Sequence, residues 1–122
     1  MTVFHVTIAI GDPAGQRFEE LEALPDTGAT WTWVPRDLLE RLGHQPTFKR
    51  RMMTADNRSV ERDGTEVAIR IGGETFHTIC IFGDVGSRPL LGMTTLEQFS
   101  LAPDPVNERL VPVAGLLMSL LE

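Results

Sequence analysis

Glycine and proline punctuate this chain, and few long helical patterns stand between them. Eleven Gly and eight Pro fall among 122 residues, and several of the segments they bound alternate with a period of two, which points toward strands and turns. In residues 3–10, Phe4, Val6, Ile8 and Ile10 share one side and His5 and Thr7 the other, the pattern of a half-buried strand. Gly11-Asp12-Pro13-Ala14-Gly15 then turns the chain. Residues 66–71 alternate cleanly, Gly72-Gly73 turns, and residues 74–82 return as an antiparallel partner. The expected fold is therefore mainly β.

One or two short helices complete it. Pro35 and Gly43 bracket Arg36 to Leu42, with Leu38, Leu39 and Leu42 on the buried face. A second short helix runs through Thr95, Leu96 and Phe99. Residues 18–24 carry helix-favouring glutamates yet sit where a strand would pair back on the first, and the strand is the reading adopted. Residues 31–34 and 109–113 read as short strands, 48–54 as extended, and 55–59 as the turn at a hairpin tip. Residues 83–89 form a loop, and Pro103-Asp104-Pro105 interrupts the chain near its end. No internal repeat is present, and the length fits one domain, 1–122.

Charge and composition exclude several functions. A formal net charge of -6 argues against a nucleic-acid partner, and Lys49-Arg50-Arg51 reads as a solvated strand edge. The apolar run at 111–121 is shorter than the about 20 residues that span a bilayer, so no membrane partner is expected. The single cysteine, Cys80, lies in Ile79-Cys80-Ile81 and reads as a buried, inert thiol. With no pair to form a disulfide and no signal-peptide pattern at the N-terminus, a reducing, cytoplasmic setting is expected. His5, His44 and His77 lack metal-ligand spacing and read as surface or strand-packing residues. The glycine pairs at 72–73 and 83–86 lack the lysine and the strand–loop–helix setting of a phosphate loop.

The chemistry concentrates in Ala23-Leu24-Pro25-Asp26-Thr27-Gly28-Ala29-Thr30-Trp31-Thr32-Trp33, where one carboxylate sits in a small-residue turn between apolar segments. Three readings compete. Leu-Pro-Asp-Thr-Gly as a wall-sorting signal needs a hydrophobic span and basic tail directly behind it, and here a whole domain follows. An ordinary turn is the bland reading, since Asp-Ser/Thr-Gly arises by chance in roughly 5% of chains this long. A catalytic aspartate is the third, and it gains from context.

That context is an apolar strand, "DTGAT", a Trp/Thr strand, "VPRDLLERLG", a hairpin around "TADN", then "LLGMTTLE" and "LAPDPVNERLVPV". This order resembles the retropepsin-like aspartic proteases, and among them the small single-domain bacterial members. The resemblance covers nearly the whole chain. It implies a closed, barrel-like β fold, no cofactor or metal, and peptide hydrolysis by a water activated between two aspartates. Two carboxylates in contact cannot both ionise, so the pair offers a base and an acid together. Asp26 would be one member, with Thr27 bonding across to the partner loop and Gly28 and Ala29 letting the backbone lie close. Leu91 and Gly92 resemble the hydrophobic-Gly element that packs beside the catalytic loop. Since Asp-Thr/Ser-Gly occurs once, the resemblance implies a two-fold homodimer with Asp26 from each chain on the axis. The apolar tail 116–121 suits such an interface, and folding back onto its own core is the alternative.

The resemblance also implies a flap closing on a peptide substrate, spanning Met52 to Ser59 and centred on Met53, Thr54, Ala55, Asp56 and Asn57. Trp31 and Trp33 face one way, with core packing favoured over substrate stacking. Certain positions depart from the family pattern. Pro25 precedes the aspartate and is expected to remove a ladder bond, and Asn57 replaces the usual flap glycine while still tolerating positive φ. Thr30-Trp31 and Met93 stand where retroviral enzymes carry an acid and an arginine, so retroviral specificity does not carry over. The competing expectation is a catalytically silent module that keeps the fold for dimerisation or peptide binding.

Overall fold

The computed structural model describes residues 3–115; the tail at 116–121 lies outside them. Among the described residues, nine strands and two short helices follow in the order β1 (Val6–Gly11), β2 (Phe18–Pro25), β3 (Thr32–Pro35), α1 (Arg36–Leu42), β4 (Phe48–Met53) and β5 (Ser59–Ile71). β6 (Glu74–Gly83), β7 (Leu90–Leu91), α2 (Met93–Gln98), β8 (Leu101–Asp104) and β9 (Arg109–Pro112) complete them. The main sheet runs β1-β2-β7-β3-β6-β5-β4, and a further pairing of β1 with β5 closes it on itself. Six strands thus form a ring, and β4 hangs from β5 outside it. Closure removes the free edges that a small open sheet would expose. The fold is mainly β, as the punctuation of the sequence predicts.

The core lies inside the ring and under the helices. Ile8, Ile10, Val34, Ile69, Phe82 and Leu91 are all fully buried within it. β2 is a strand despite its glutamates because its in-facing positions, Leu21 and Ala23, pack inward while Glu20 and Glu22 stay exposed. β5 is longer than the alternation at 66–71 alone indicates. Its first half pairs with β4 (Met53↔Ser59 to Phe48↔Gly64) and its second half with β6 (Gly64↔Ile81 to Ile71↔Glu74). Gly64 is the junction, and a Cβ there would fall 2.4 Å from the Phe48 ring that covers it.

α1 begins at Pro35 and ends at Gly43, which takes the left-handed φ of 102°. Leu39 and Leu42 are buried and Leu38 half-buried. His44, read from sequence as a surface or strand-packing residue, is buried against the end of a strand. Its Nε2 lies 2.7 Å from the Gly11 carbonyl and ties the end of α1 to the end of β1. Cys80 is fully buried, and desolvation pushes its thiol up to about 12. β8 went unread at Pro103. That residue sits opposite Leu110 in a separate two-stranded hairpin, where one free edge accommodates a missing N–H.

Candidate active site

Asp26 leaves β2 at the point where that strand meets β7. Leu24 N–H donates to the Pro89 carbonyl at 3.0 Å and Asp26 N–H to the Leu91 carbonyl at 2.9 Å. Pro25 therefore costs no bond on this side, contrary to expectation. Alternate amides face opposite edges, and the nitrogen of Pro25 faces the edge where pairing with β1 has already ended at Val6↔Ala23. The carboxylate is oriented locally, with Gly28 N–H donating to Oδ1 at 2.9 Å and Ala29 N–H to the Asp26 carbonyl at 3.1 Å. A Cβ on Gly28 would stand 3.2 Å from that same Oδ1, so glycine gives the loop room to fold over its carboxylate. Thr27 is exposed, and its hydroxyl makes no hydrogen bond among the described residues.

A second segment crosses behind the loop. Met93 and Thr94 N–H donate to the carbonyls of Ala29 and Thr30 at 2.8 and 2.9 Å. Gly92 is where the chains touch, since a Cβ there would lie 2.3 Å from the carbonyl carbon of Trp31 and 2.4 Å from its oxygen. Beneath the crossing lies a buried hydroxyl relay that sequence reasoning missed. Thr32 Oγ1 accepts from Gly92 N–H at 3.0 Å and lies 2.7 Å from Thr95 Oγ1, which lies 3.0 Å from Thr78 Oγ1. All three threonines are buried. Leu91 is fully buried as well.

Two hollows flank the loop. On one side a groove of about 570 Å³ runs between the loop and the β4–β5 hairpin. Gly28, Ala29, Trp31, Trp33 and Leu90 line its floor, and Met52, Met53, Thr54, Val60 and Arg62 its roof. On the other side a hollow of about 430 Å³ lies among Phe4, Leu24, Asp26, Thr27, Pro103 and Pro105. Core packing of the tryptophans, favoured from sequence, is not what the structure shows. Thr32 and Val34 take the inward face of β3, and Trp31 and Trp33 stay half-buried and open on the groove. The period of two places both on one face; what it does not reveal is that the threonine face is the inner one, because the relay that satisfies Thr32 comes from residues 60 positions away or more.

The hairpin stands where its sequence placed it. Met52 is half-buried, and Met53 is 65% exposed. The tip holds itself together. Thr54 N–H donates to the Arg58 carbonyl at 2.8 Å and Asn57 N–H to the Thr54 carbonyl at 2.9 Å. The Thr54 hydroxyl donates to Asp56, and Arg58 Nε pairs with Asp56 at 2.8 Å. These contacts, the Thr54 hydroxyl first, hold the Asp56 carboxyl below its usual range. Asn57 takes a φ of 65°, the left-handed conformation its side chain tolerates. Ala55, Asp56 and Asn57 stand exposed beyond the groove and do not line it. Among the described residues, no three His, Cys, Asp or Glu side chains gather to hold a metal, and no helix is long and apolar enough to cross a membrane.

A closed β ring that carries Asp-Thr-Gly on a loop crossed by a hydrophobic-Gly segment, with a hairpin over the adjoining groove, is the architecture of a retropepsin-like aspartic protease. A family model described as "Aspartyl protease" matches residues 6–95, and the chain belongs to that family. Among solved structures, the solution structure of the simian foamy virus (mac) protease matches with a TM-score of 0.56 and 19% identity. The match covers 82% of this chain and 99% of that one, and it shows a shared fold. No match is found among curated proteins.

Proposed function

We propose that the protein is an aspartic endopeptidase that works as a homodimer, with Asp26 of each copy meeting on the two-fold axis. The observation that carries this reading is the half-built state of the site. Among the described residues lining the two hollows, Asp26 is the one carboxylate, and it is already aimed by Gly28 while Thr27 beside it has an exposed, unbonded hydroxyl. A second copy laid against the hollow at Phe4, Leu24 and Pro103 would supply the other carboxylate and give Thr27 its partner. The pair would share one proton. The ionised member takes a proton from water as it attacks the peptide carbonyl, and the protonated member donates to the carbonyl oxygen. Collapse of the tetrahedral adduct breaks the C–N bond as a proton passes to the leaving amine. An extended peptide would lie in the groove beneath Met52 and Met53, with residues 53–57 as the closing flap.

Cleavage of mixed peptides at acidic to neutral pH, with and without pepstatin, tests the activity. Asp26→Asn keeps the size of the side chain and should leave the fold intact while lowering turnover by about 10³-fold or more. Mixing wild type with this variant separates the shared dyad from a self-sufficient chain. With exchanging dimers and random assortment, activity should fall as the square of the wild-type fraction. A linear fall would mean that each chain works alone. Peptide binding without any cleavage would favour the silent binding module instead, a reading that the exposed flap tip lying outside the groove also suits.

A further inference from the structure

The groove is charged against the sign of the whole molecule. The chain carries a formal net charge of -6, yet the groove is lined by Arg51 and Arg62 and by no carboxylate. Arg50 of β4 stands beside that lining, directly opposite Arg62 of β5 and on the hairpin face of Met52 and Val60, whereas Arg51 lies opposite Glu61. The guanidinium of Arg50 stands 5.8 Å from the Trp31 ring centroid, and that of Arg62 5.8 Å from the Trp33 ring centroid. Two like charges directly opposed across an antiparallel pair destabilise it unless something neutralises them.

Neutralisation is only half complete. Arg62 reaches Asp84 at 2.8 Å, and on the same hairpin Lys49 and Arg58 hold Asp63 and Asp56. Arg50 pairs with no carboxylate among the described residues. Its hydrogen bond goes to the neighbouring Lys49 carbonyl at 3.3 Å, and its guanidinium carbon lies over the rings of Phe48 and Trp31, 4.4 and 5.8 Å from their centroids. A guanidinium stacked by its face still offers N–H groups at its edge, which suits a planar carboxylate.

We propose that the groove selects peptides carrying an acidic side chain, whose carboxylate sits between Arg50 and Arg62. A nearby apolar side chain of the same peptide packs against Trp31, Trp33 and Met52. In an extended peptide, side chains two positions apart share a face, so the acidic and apolar residues are two apart. The proposal rests on reading the groove as a peptide site, and adds the class of peptide it takes. The competing role for these arginines is structural, a clamp of the hairpin on the two tryptophans. That role predicts a change in stability without a change in selectivity.

The test reads binding, so that it does not depend on turnover. Full-length Asp26→Asn protein is titrated with fluorescent eight-residue apolar peptides in which one Glu is moved along the sequence, each with a Gln counterpart. At one position of the scan the Glu peptide should bind about tenfold more tightly than its Gln counterpart, an advantage that shrinks as salt rises. Adding Arg50→Gln should bring the ratio close to one, and Arg50→Lys should keep part of it. A thermal scan of each variant shows whether it is folded. Equal binding of Glu and Gln peptides at every position overturns the proposal, as does a preference that survives both Arg50→Gln and Arg62→Gln. Cleavage by wild type with no Glu preference would sink this inference alone, and a Glu preference with no cleavage would sink the catalytic reading alone.

Discussion

Two short turns in this molecule are built from the same side chains and held in opposite ways. The Asp-Thr-Gly loop at residues 25–29 and the hairpin tip at residues 54–58 each contain one aspartate and one threonine. In the tip every bond is local, from Thr54 to Asp56, Asn57 and Arg58. In the Asp-Thr-Gly loop the carboxylate is oriented locally but the main chain is fixed from afar, by Leu91, Met93 and Thr94. The tip can therefore change shape without disturbing the ring, whereas the loop is only as well placed as the crossing behind it. A site that must position a carboxylate to a fraction of an ångström gains from the second arrangement, and a segment that must open gains from the first.

The comparison breaks most violently at Gly92. Its φ of -84° suits any residue, so the demand is for space alone. Gly92→Ala would drive a methyl group into the Trp31 backbone, and neither chain can retreat without losing the Met93–Ala29 and Thr94–Thr30 bonds. The expected loss is about 4 kcal/mol or more, enough to leave little folded protein in a urea titration. Thr95→Val is the next blow. It removes the middle of the relay without a bulk change, leaving the Thr78 hydroxyl with no partner and Thr32 with the Gly92 N–H alone, which should cost about 1–3 kcal/mol. Because Thr32 also receives Gly92 N–H, turnover should fall with stability in this variant.

These sites also show what could be read from the chain and what could not. Local signals were enough for β1, for β6 and the second half of β5, for α1 with its Gly43 stop, and for the hairpin tip with Asn57. The Asp-Thr-Gly turn and the Leu90-Leu91-Gly92 run were legible because their spacing is a family pattern. The two parallel pairings, β2 with β7 and β3 with β6, join segments far apart in sequence and leave no periodic trace. Thr32 and Thr95 look like solvent-facing residues until their partners are known. The same blindness misplaced the tryptophans, since β3 hides Thr32 and leaves Trp33 half-buried on the groove. The choice between surface and packing for His44 stayed open because its acceptor, Gly11, comes from another element.

A smaller effect should appear at the root of the hairpin. Asp63 there is held below its usual range by hydrogen bonds from Lys49 and from Arg36, at 2.8 and 2.6 Å. A carboxyl lowered in the folded state adds stability that is full above its unfolded value, about 3.9, and fades as pH falls through the folded one. Thermal scans should therefore separate wild type from Asp63→Asn between pH 5 and 7, in roughly constant measure. The two curves should begin to draw together as pH falls below about 4 and go on closing as it drops through the lowered folded value. A gap that does not narrow at all on acidification would mean that Asp63 acts by packing rather than by charge.

The smallest effect belongs to the tip and is the sharpest test of its independence. Thr54→Val removes the hydroxyl that donates to Asp56 and accepts from Arg58 N–H at 3.1 Å, while the backbone bonds of the turn remain. Nothing in the ring or the crossing touches that hydroxyl. Global stability should therefore move by less than about 0.5 kcal/mol. Hydrogen exchange at the amides of Asn57 and Arg58 should nonetheless quicken, because opening the turn now breaks fewer bonds. The amides of Asp26, Ala29 and Met93 should keep their protection unchanged. A peptide seated in the groove should slow exchange at the tip in both proteins, more so in the variant, which starts looser. If protection at Asp26 or Met93 falls together with that at Asn57, the two turns form one cooperative unit, and the separation of a fixed loop from a free hairpin tip does not hold.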